Sequence, residues 1–235
     1  MGLDVYVGTL TRYYAGQWET IVQRTGREQG FAVEVQRQHV DAAVTDPAAL
    51  EPVLIEWRDT LSAALSTHLR GPLRWDEGMG PDYFTDKPAW DCYGSLLVWA
   101  AHDEHTGTDL PHAAIEDWTQ HPAVQLSQAE GFRSRYGQLL HGAEFWLPTT
   151  FEFTFKAQDP VGNEIVFGSV DALLQQLRTL NERTWGADSR KITQWRRAGA
   201  VHGGPFETAA RFGFAVLYDL AERAADQRLP MKLDY

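Results

Sequence analysis

Residues 90–104, WDCYGSLLVWAAHDE, carry apolar side chains around most of the circumference of a helix. A helix that is apolar on nearly all sides is usually buried in the middle of a domain. Only its last three residues, His-Asp-Glu, are uniformly polar. We therefore predict that this segment is the central helix of the fold and that the other elements pack around it.

Strand patterns lie on both sides of this helix. LDVYVGTL at residues 3–10 and FAVEVQ at 31–36 alternate apolar and polar side chains, which is typical of strands. TFEFTFK at 150–156 shows the clearest alternation, and the DPVGN turn followed by EIVFG predicts a hairpin over 150–168. The C-terminal PMKLDY predicts a short strand near the first one, because the termini of a domain often lie close together.

Helix signals fill most of the remaining chain. A short helix is predicted over 17–29, and Ser169 and Pro205 are predicted to open two further helices. Asp46-Pro47 resembles a helix start, but the interior Pro52 places the predicted helix at 52–69. Shorter helices are predicted around residues 111–118 and within 132–146. The sequence thus predicts a helix-rich α+β fold, a single domain over 1–235 with a small sheet that includes the N-terminal strand and the 150–168 hairpin.

Charge limits the classes of partner. The chain of 235 residues has a formal net charge of −11, which argues against nucleic acid, whose binding requires basic residues, and suits a basic protein partner. The basic stretch Arg190, Lys191, Arg196 and Arg197 is interpreted as a solvated helix face. One cysteine excludes an intramolecular disulfide, and neither a leader nor a run of about 20 apolar residues is recognisable. We expect a cytoplasmic protein without a membrane partner.

Two stretches rich in aromatic and acidic residues, 4–18 and 74–93, predict the binding site. If they meet in space, they form an aromatic-walled acidic cleft, which suits a small molecule or the side chain of a partner. The alternative is that the aromatic rings pack the core and the carboxylates cap turns. The candidate binding residues are Asp4, Tyr6, Arg12, Tyr13, Tyr14, Trp18, Trp90, Asp91 and Tyr93.

The stretch HDEHTGTDLPH at 102–112 raises the question of a metal site. His102, His105 and His112 are the candidate ligands, but two His three residues apart differ from the four-residue spacing of helical zinc motifs. Histidines at a helix C-terminus also interact favourably with the helix dipole. We interpret the stretch as the polar end of the helix and predict no cofactor. Cys92 is interpreted as a small buried side chain.

The start MGLDVYVGTLTRYYAGQW, the segment TDKPAWDCYG and the ending LDY are similar to a group of bacterial hypothetical proteins that begin the same way. This resemblance spans the chain and implies a bacterial, cytoplasmic, single-domain protein. It carries over no activity and no functional residue.

Three functions follow from these observations. The acidity, the many aromatic side chains and the lack of catalytic motifs favour a non-enzymatic binding protein, such as an inhibitor or an immunity-type protein. The alternative is a small-molecule enzyme or ligand-binding protein that uses an Asp/Tyr/Trp-lined pocket. A metal-binding protein built on the 102–112 histidines is the third.

Overall fold

The computed structural model describes residues 3–33, 46–115 and 117–235. It has the predicted helix-rich α+β architecture. The strands in this part of the chain are β1 Asp4–Val7, β2 Phe84–Asp86, β3 Phe145–Leu147, β4 Phe155–Gln158, β5 Glu164–Ser169 and β6 Met231–Asp234. The helices are α1 Leu10–Tyr14, α2 Ile21–Glu28, α3 Pro47–Ala64, α4 Trp90–Glu104, α5 Pro122–Ser127, α6 Gly137–Leu140, α7 Val170–Arg183, α8 Ser189–Ala198 and α9 Phe206–Gln227.

The strands form one sheet in the order β2-β1-β6-β3-β5-β4. β3 and β5 are parallel, and the other neighbouring pairs are antiparallel. The C-terminal β6 lies between β1 and β3, which confirms the predicted pairing of the two termini. Because β6 pairs on both sides, the last residues of the described chain are anchored in the middle of the sheet.

The two faces of the sheet bury different clusters. Val5, Val7, Trp146, Met231 and Leu233 face the layer that contains α4, α7 and α9. Residues of the opposite orientation on β1, β3 and β5 face α1 and α3, and they include Tyr6, Phe145, Leu147 and Phe167. This is the period-two alternation expected of strands that are covered on both sides.

The prediction for residues 90–104 is confirmed, because α4 has these bounds and packs against α9 in the interior. Gly213 of α9 permits the contact: a Cβ there would lie 2.9 Å from the carbonyl carbon of Cys92. The two helices can therefore approach at backbone distance. No helix in residues 3–33, 46–115 and 117–235 has both the length and the apolarity to cross a bilayer.

The predicted helix over 52–69 is wrong in its bounds. The helix α3 begins at Pro47, behind an Asp46 side chain that accepts a hydrogen bond from the Ala48 N–H at 3.1 Å, and it ends at Ala64. Pro52 lies inside it. A proline in a helix removes a single backbone donor, and the burial of Leu54 and Leu61 on the same helix offsets that loss.

The predicted strand over 150–156 is also displaced, since β4 begins only at Phe155. Upstream of Phe155, side chains take the place of a neighbouring strand: the Gln138 amide donates to the carbonyls of Glu152 and Phe153. The Phe151 N–H donates to Ser169 Oγ at 3.5 Å. The hairpin of β4 and β5 is present, and Ser169 caps α7 as predicted.

Two further predictions need correction. No helix forms over residues 111–115 or 117–118; Ala113 instead makes a bridge to Pro205. The predicted strand at 31–36 is absent at residues 31–33, and residues 34–36 are outside the described part of the chain. The helix predicted over 17–29 is the shorter α2, because Thr20 and Gln23 form a capping box that fixes its start.

Candidate functional site

The two stretches from which a cleft is predicted do meet. β1 pairs with β2, and the ring of Tyr6 stacks on that of Tyr83 with centroids 6.3 Å apart. Arg12 donates to the carbonyls of Met79, at 2.5 Å, and Pro81, at 3.1 Å. The loop before β2 is therefore fixed against the start of the chain.

Where they meet, the two stretches form packed core and not an open cleft. The rings of Tyr6, Tyr13 and Trp18 lie 5.0–5.7 Å apart, and each is at most 5% exposed. Their relative angles, 17° to 57°, are those of interlocked aromatic side chains. This part of the candidate set therefore fills space between the sheet and α1.

The two acidic candidates at the ends of elements have structural partners. Asp4 is buried with an oxygen 3.8 Å from Lys87 Nζ. Asp91, which is 2% exposed, accepts from the Gly203 N–H at 3.0 Å and lies 3.1 Å from His202 Nδ1. Asp91 thus ties the 201–204 loop to the first turn of α4.

The other candidates, Trp90 and Tyr93, line a cavity of about 210 Å³ that sequence reasoning did not assemble. Trp118 stacks on Trp90 at 5.7 Å and 18°, and Tyr93 meets Trp118 edge-on at 5.6 Å and 87°. Tyr235 meets Trp90 at 5.1 Å and 70°. Glu144 supplies a carboxylate in the same wall. We call these five side chains the aromatic box.

Local features of α4 bring the box together. Ser95 Oγ accepts a hydrogen bond from the Ile115 N–H at 3.3 Å, which holds the segment before Trp118 against the helix. Gly94 leaves room for that contact, because a Cβ there would lie 2.6 Å from Trp118 Cε3. Trp90 and Trp118 are only partly buried and Tyr235 is 44% exposed, so the box opens to solvent.

Glu144 dominates the electrostatics of the box. Its backbone is fixed between strands, since its N–H donates to Val166 O and its carbonyl accepts from the Leu233 N–H. Burial and the Glu144 carboxylate both raise the pKa of Tyr93, and burial together with a hydrogen bond to Glu144 raises that of Tyr235. Both phenols therefore stay neutral, and the box combines electron-rich ring faces with one carboxylate.

A second cavity of about 310 Å³ adjoins the box, because Glu144, Leu233 and Tyr235 line both. Lys232 lies in its wall, with Nζ 3.8 Å from Asp159 Oδ2 and 5.6 Å from the centroid of the Tyr13 ring. The Tyr14 hydroxyl donates to Asp159 at 3.3 Å, and the Tyr13 hydroxyl donates to Asp234. The candidates Tyr13 and Tyr14 are thus core side chains that also line this second cavity.

Burial decides the ionisation of the groups in the second cavity. It lowers the pKa of the Lys232 ammonium, although Asp159, Glu144 and Asp234 act in the opposite direction. It raises the pKa of Tyr14, and Asp159 adds to that increase. In this cavity the effect of burial on the pKa of Lys232 therefore exceeds that of the three carboxylates around it.

The histidines at 102–112 do not converge. His102 Nδ1 lies 3.3 Å from Thr108 Oγ1, His105 contacts the ring of Phe132 at 4.8 Å, and His112 is exposed. Asp103 accepts from Tyr136 and Arg183, and Glu104 accepts from Ser127 and Ser134. In the three described ranges no three His, Cys, Asp or Glu side chains form a group that could hold a metal ion.

Most lining residues of these cavities were not among the candidates, and they include Trp118, Glu144, Asp159, Lys232 and Tyr235. Trp118 and Glu144 lie in segments whose structure the sequence left open or misassigned. The predicted pairing of β6 with β1 was the one available signal, because it already placed the end of the chain beside the start of the sheet.

Comparisons with protein-family models, with curated proteins and with solved structures gave no match. The chemistry of the cavities therefore carries the functional argument.

Proposed function

We propose that this chain is a binding protein that takes a small organic cation, or the cationic end of a partner's basic side chain, in the aromatic box. The observation that carries the proposal is the box itself, in which four aromatic rings and one carboxylate line the same cavity. Three contacts between these rings are close to parallel or perpendicular. Cations bind the faces of such rings through the ring quadrupole, at about 0.5–2 kcal/mol each.

The volume of the box suits a single cationic group of a ligand and is too small to enclose a whole ligand. Its volume of about 210 Å³ is below the roughly 300–1,000 Å³ of sites that enclose drug-sized molecules. A trimethylammonium or ammonium group fits that space, and the remainder of the ligand would stay outside. A lysine side chain on a basic protein offers the same chemistry, which is how an inhibitor or immunity-type role would use the site.

Calorimetry with choline as the probe tests the proposal. Choline is expected to bind, whereas its uncharged isostere 3,3-dimethyl-1-butanol should bind at least tenfold more weakly, because it lacks the charge that the rings and Glu144 attract. Glu144→Gln keeps the shape of the box and should weaken choline binding by about tenfold, a loss of about 1.4 kcal/mol. Glu152→Gln removes an exposed carboxylate outside both cavities and is the matched control.

Equal affinity for choline and the neutral isostere would reject cation recognition. To separate the two sources of the cation, untagged protein from host cells should be analysed by native mass spectrometry with and without choline. A bound basic protein that choline displaces supports the partner side chain; a small retained cation supports a free ligand.

The second cavity favours a second candidate function, that of an enzyme which uses the Lys232 amine. Its nitrogen could add to a carbonyl carbon of a small substrate and lose water to give an imine, a step helped by the lowered pKa. Borohydride reduction in the presence of small aldehydes would trap such an imine as a stable mass increase on Lys232. Absence of the adduct in the wild type, under conditions that modify free lysine, would reject this candidate.

A further inference from the structure

A third cavity, which shares no lining residue with the aromatic box, is walled by tryptophan. This groove of about 680 Å³ lies between the end of α7 and the helices α8 and α9. Trp99 and Trp185 stack at 5.1 Å and 16°, and Trp195 meets Trp185 at 5.5 Å and 70°. We call it the tryptophan groove.

Three hydrogen-bond donors on this groove have no acceptor. They are Nε1 of Trp99, Nε1 of Trp185 and Nε of Arg211, all buried and without a partner among the described residues. Buried N–H groups are nearly always paired, since leaving one unpaired forfeits its bond to water. Three unpaired donors on one groove indicate that an acceptor comes from outside the chain.

The charges around the groove favour an anionic acceptor. Arg190 and Lys191 form no ion pair within the described part of the chain, and Arg211 pairs with Glu207 alone, at 2.5 Å. Three cationic side chains line the groove against two carboxylates, and one oxygen of the Asp188 carboxylate caps α8 by accepting from the Lys191 N–H at 2.8 Å. The first turns of α8 and α9 border the groove and add the positive ends of two helix dipoles.

We infer that the tryptophan groove binds a small molecule that combines a planar apolar body with a carboxylate. The ring faces would cover the planar body, and the orphaned N–H groups with Arg211 would bind the carboxylate, to which a guanidinium can donate two parallel hydrogen bonds. Because the three nitrogen atoms are buried, the ligand must displace a side chain to reach them. Arg211, held over Trp195 at 5.3 Å and by one partly exposed ion pair, is the side chain that moves.

Titration of ¹⁵N-labelled protein with 2-naphthoate, followed through the indole N–H signals, tests this inference. We expect the Trp99 and Trp185 signals to shift downfield while those of Trp90 and Trp118 in the aromatic box stay unchanged. Uncharged 2-naphthamide should bind at least tenfold more weakly. Trp185→Phe keeps an aromatic ring but removes one donor, and it should weaken naphthoate binding about tenfold.

A second arginine of the chain, Arg223, is a matched control for Arg211. Arg223 lies on the same helix as Arg211, pairs with an acid four residues earlier (Asp219, 2.8 Å), and covers the ring of Phe84 at 4.8 Å. Arg211→Gln should weaken naphthoate binding at least tenfold, whereas Arg223→Gln should leave it within twofold. Equal effects of the two variants, equal binding of the amide, or unmoved Trp99 and Trp185 signals would each overturn the inference. Choline binding at the box is independent of all of these results.

Discussion

At the scale of single residues, the described structure makes Cys92 chemically inert. The thiol is buried in α4 beside Asp91, and burial followed by the Asp91 charge raises its pKa to about 12. Since the thiolate is the reactive form, we predict that Ellman's reagent labels the folded protein at pH 8 at least about a hundredfold more slowly than the protein unfolded in guanidinium chloride. Comparable rates in the two states would contradict this assignment.

Asp103 gives a pH dependence with a definite sign. Burial alone would raise its pKa, but hydrogen bonds from Arg183 and Tyr136 and the charges of Arg183 and Arg135 outweigh burial and lower it below 3.8. A carboxyl group whose pKa is lower in the folded state stabilises the fold above its unfolded pKa. That contribution disappears as the pH falls through the lower, folded-state pKa.

We therefore predict that Asp103→Asn lowers stability at pH 7 and flattens the loss of stability between about pH 5 and pH 2. Thermal unfolding measured across this range checks both effects. Asp82→Asn, at an exposed carboxylate, serves as the control and should keep the slope of the wild type. If the two variants have parallel profiles, the hydrogen bonds to Asp103 contribute nothing in solution.

At the scale of elements, the contact between α4 and α9 depends on Gly213. An added Cβ would clash with the backbone carbonyl of Cys92, which cannot move as a flexible side chain would. We predict that Gly213→Ala destabilises the fold by about 1–3 kcal/mol, although alanine is the better helix former. Thr208→Ala, at an exposed position of the same helix, should be neutral or slightly stabilising, and chemical denaturation compares the two variants.

The start of α4 holds strain directly before the aromatic box. Ala89 has φ 61° and ψ 153°, a conformation that is nearly restricted to glycine. We predict that Ala89→Gly stabilises the protein by about 1 kcal/mol and loosens Trp90, which would appear as weaker choline binding. Ala63→Gly in α3, where the backbone is helical, should instead destabilise by about 1 kcal/mol. Destabilisation by both substitutions would show that Ala89 is not strained.

The elements also show what the sequence could and could not predict. The bounds of α4 and the cap at Ser169 follow from local chemistry, so they were predicted correctly. The start of β4 was not, because Gln138, distant in the chain, satisfies the backbone that precedes it. At β4 the local alternation predicted the wrong start, because a remote side chain takes the hydrogen bonds that a neighbouring strand would otherwise make.

At the scale of the whole molecule, the same distinction explains the candidate site. Trp90 and Tyr93 were predicted from one aromatic stretch, but their partners Trp118, Glu144 and Tyr235 come from three other regions. The stretch at 4–18 is also rich in aromatic side chains, yet its Tyr6 and Trp18 pack in the core, whereas Tyr13 and Tyr14 also line the second cavity. Composition shows that aromatic side chains are abundant, and only the fold decides which of them leave a space between them.

The net charge of −11 affects both the stability of the whole molecule and its affinity for a cationic ligand. An excess of one sign destabilises the compact state by self-repulsion, and salt screens it within a Debye length of about 10 Å at 0.1 M. We predict that the melting temperature rises by about 2–4 °C between 10 and 200 mM NaCl, corresponding to about 1 kcal/mol. Over the same range the affinity for choline should fall, because salt also screens the attraction to Glu144.

A double variant, Asp82→Asn with Glu152→Gln, removes two exposed carboxylates and should show a smaller rise in melting temperature. If salt lowers the melting temperature of the wild type, the surface ion pairs, such as Arg27 with Glu19 at 2.9 Å, outweigh the excess negative charge.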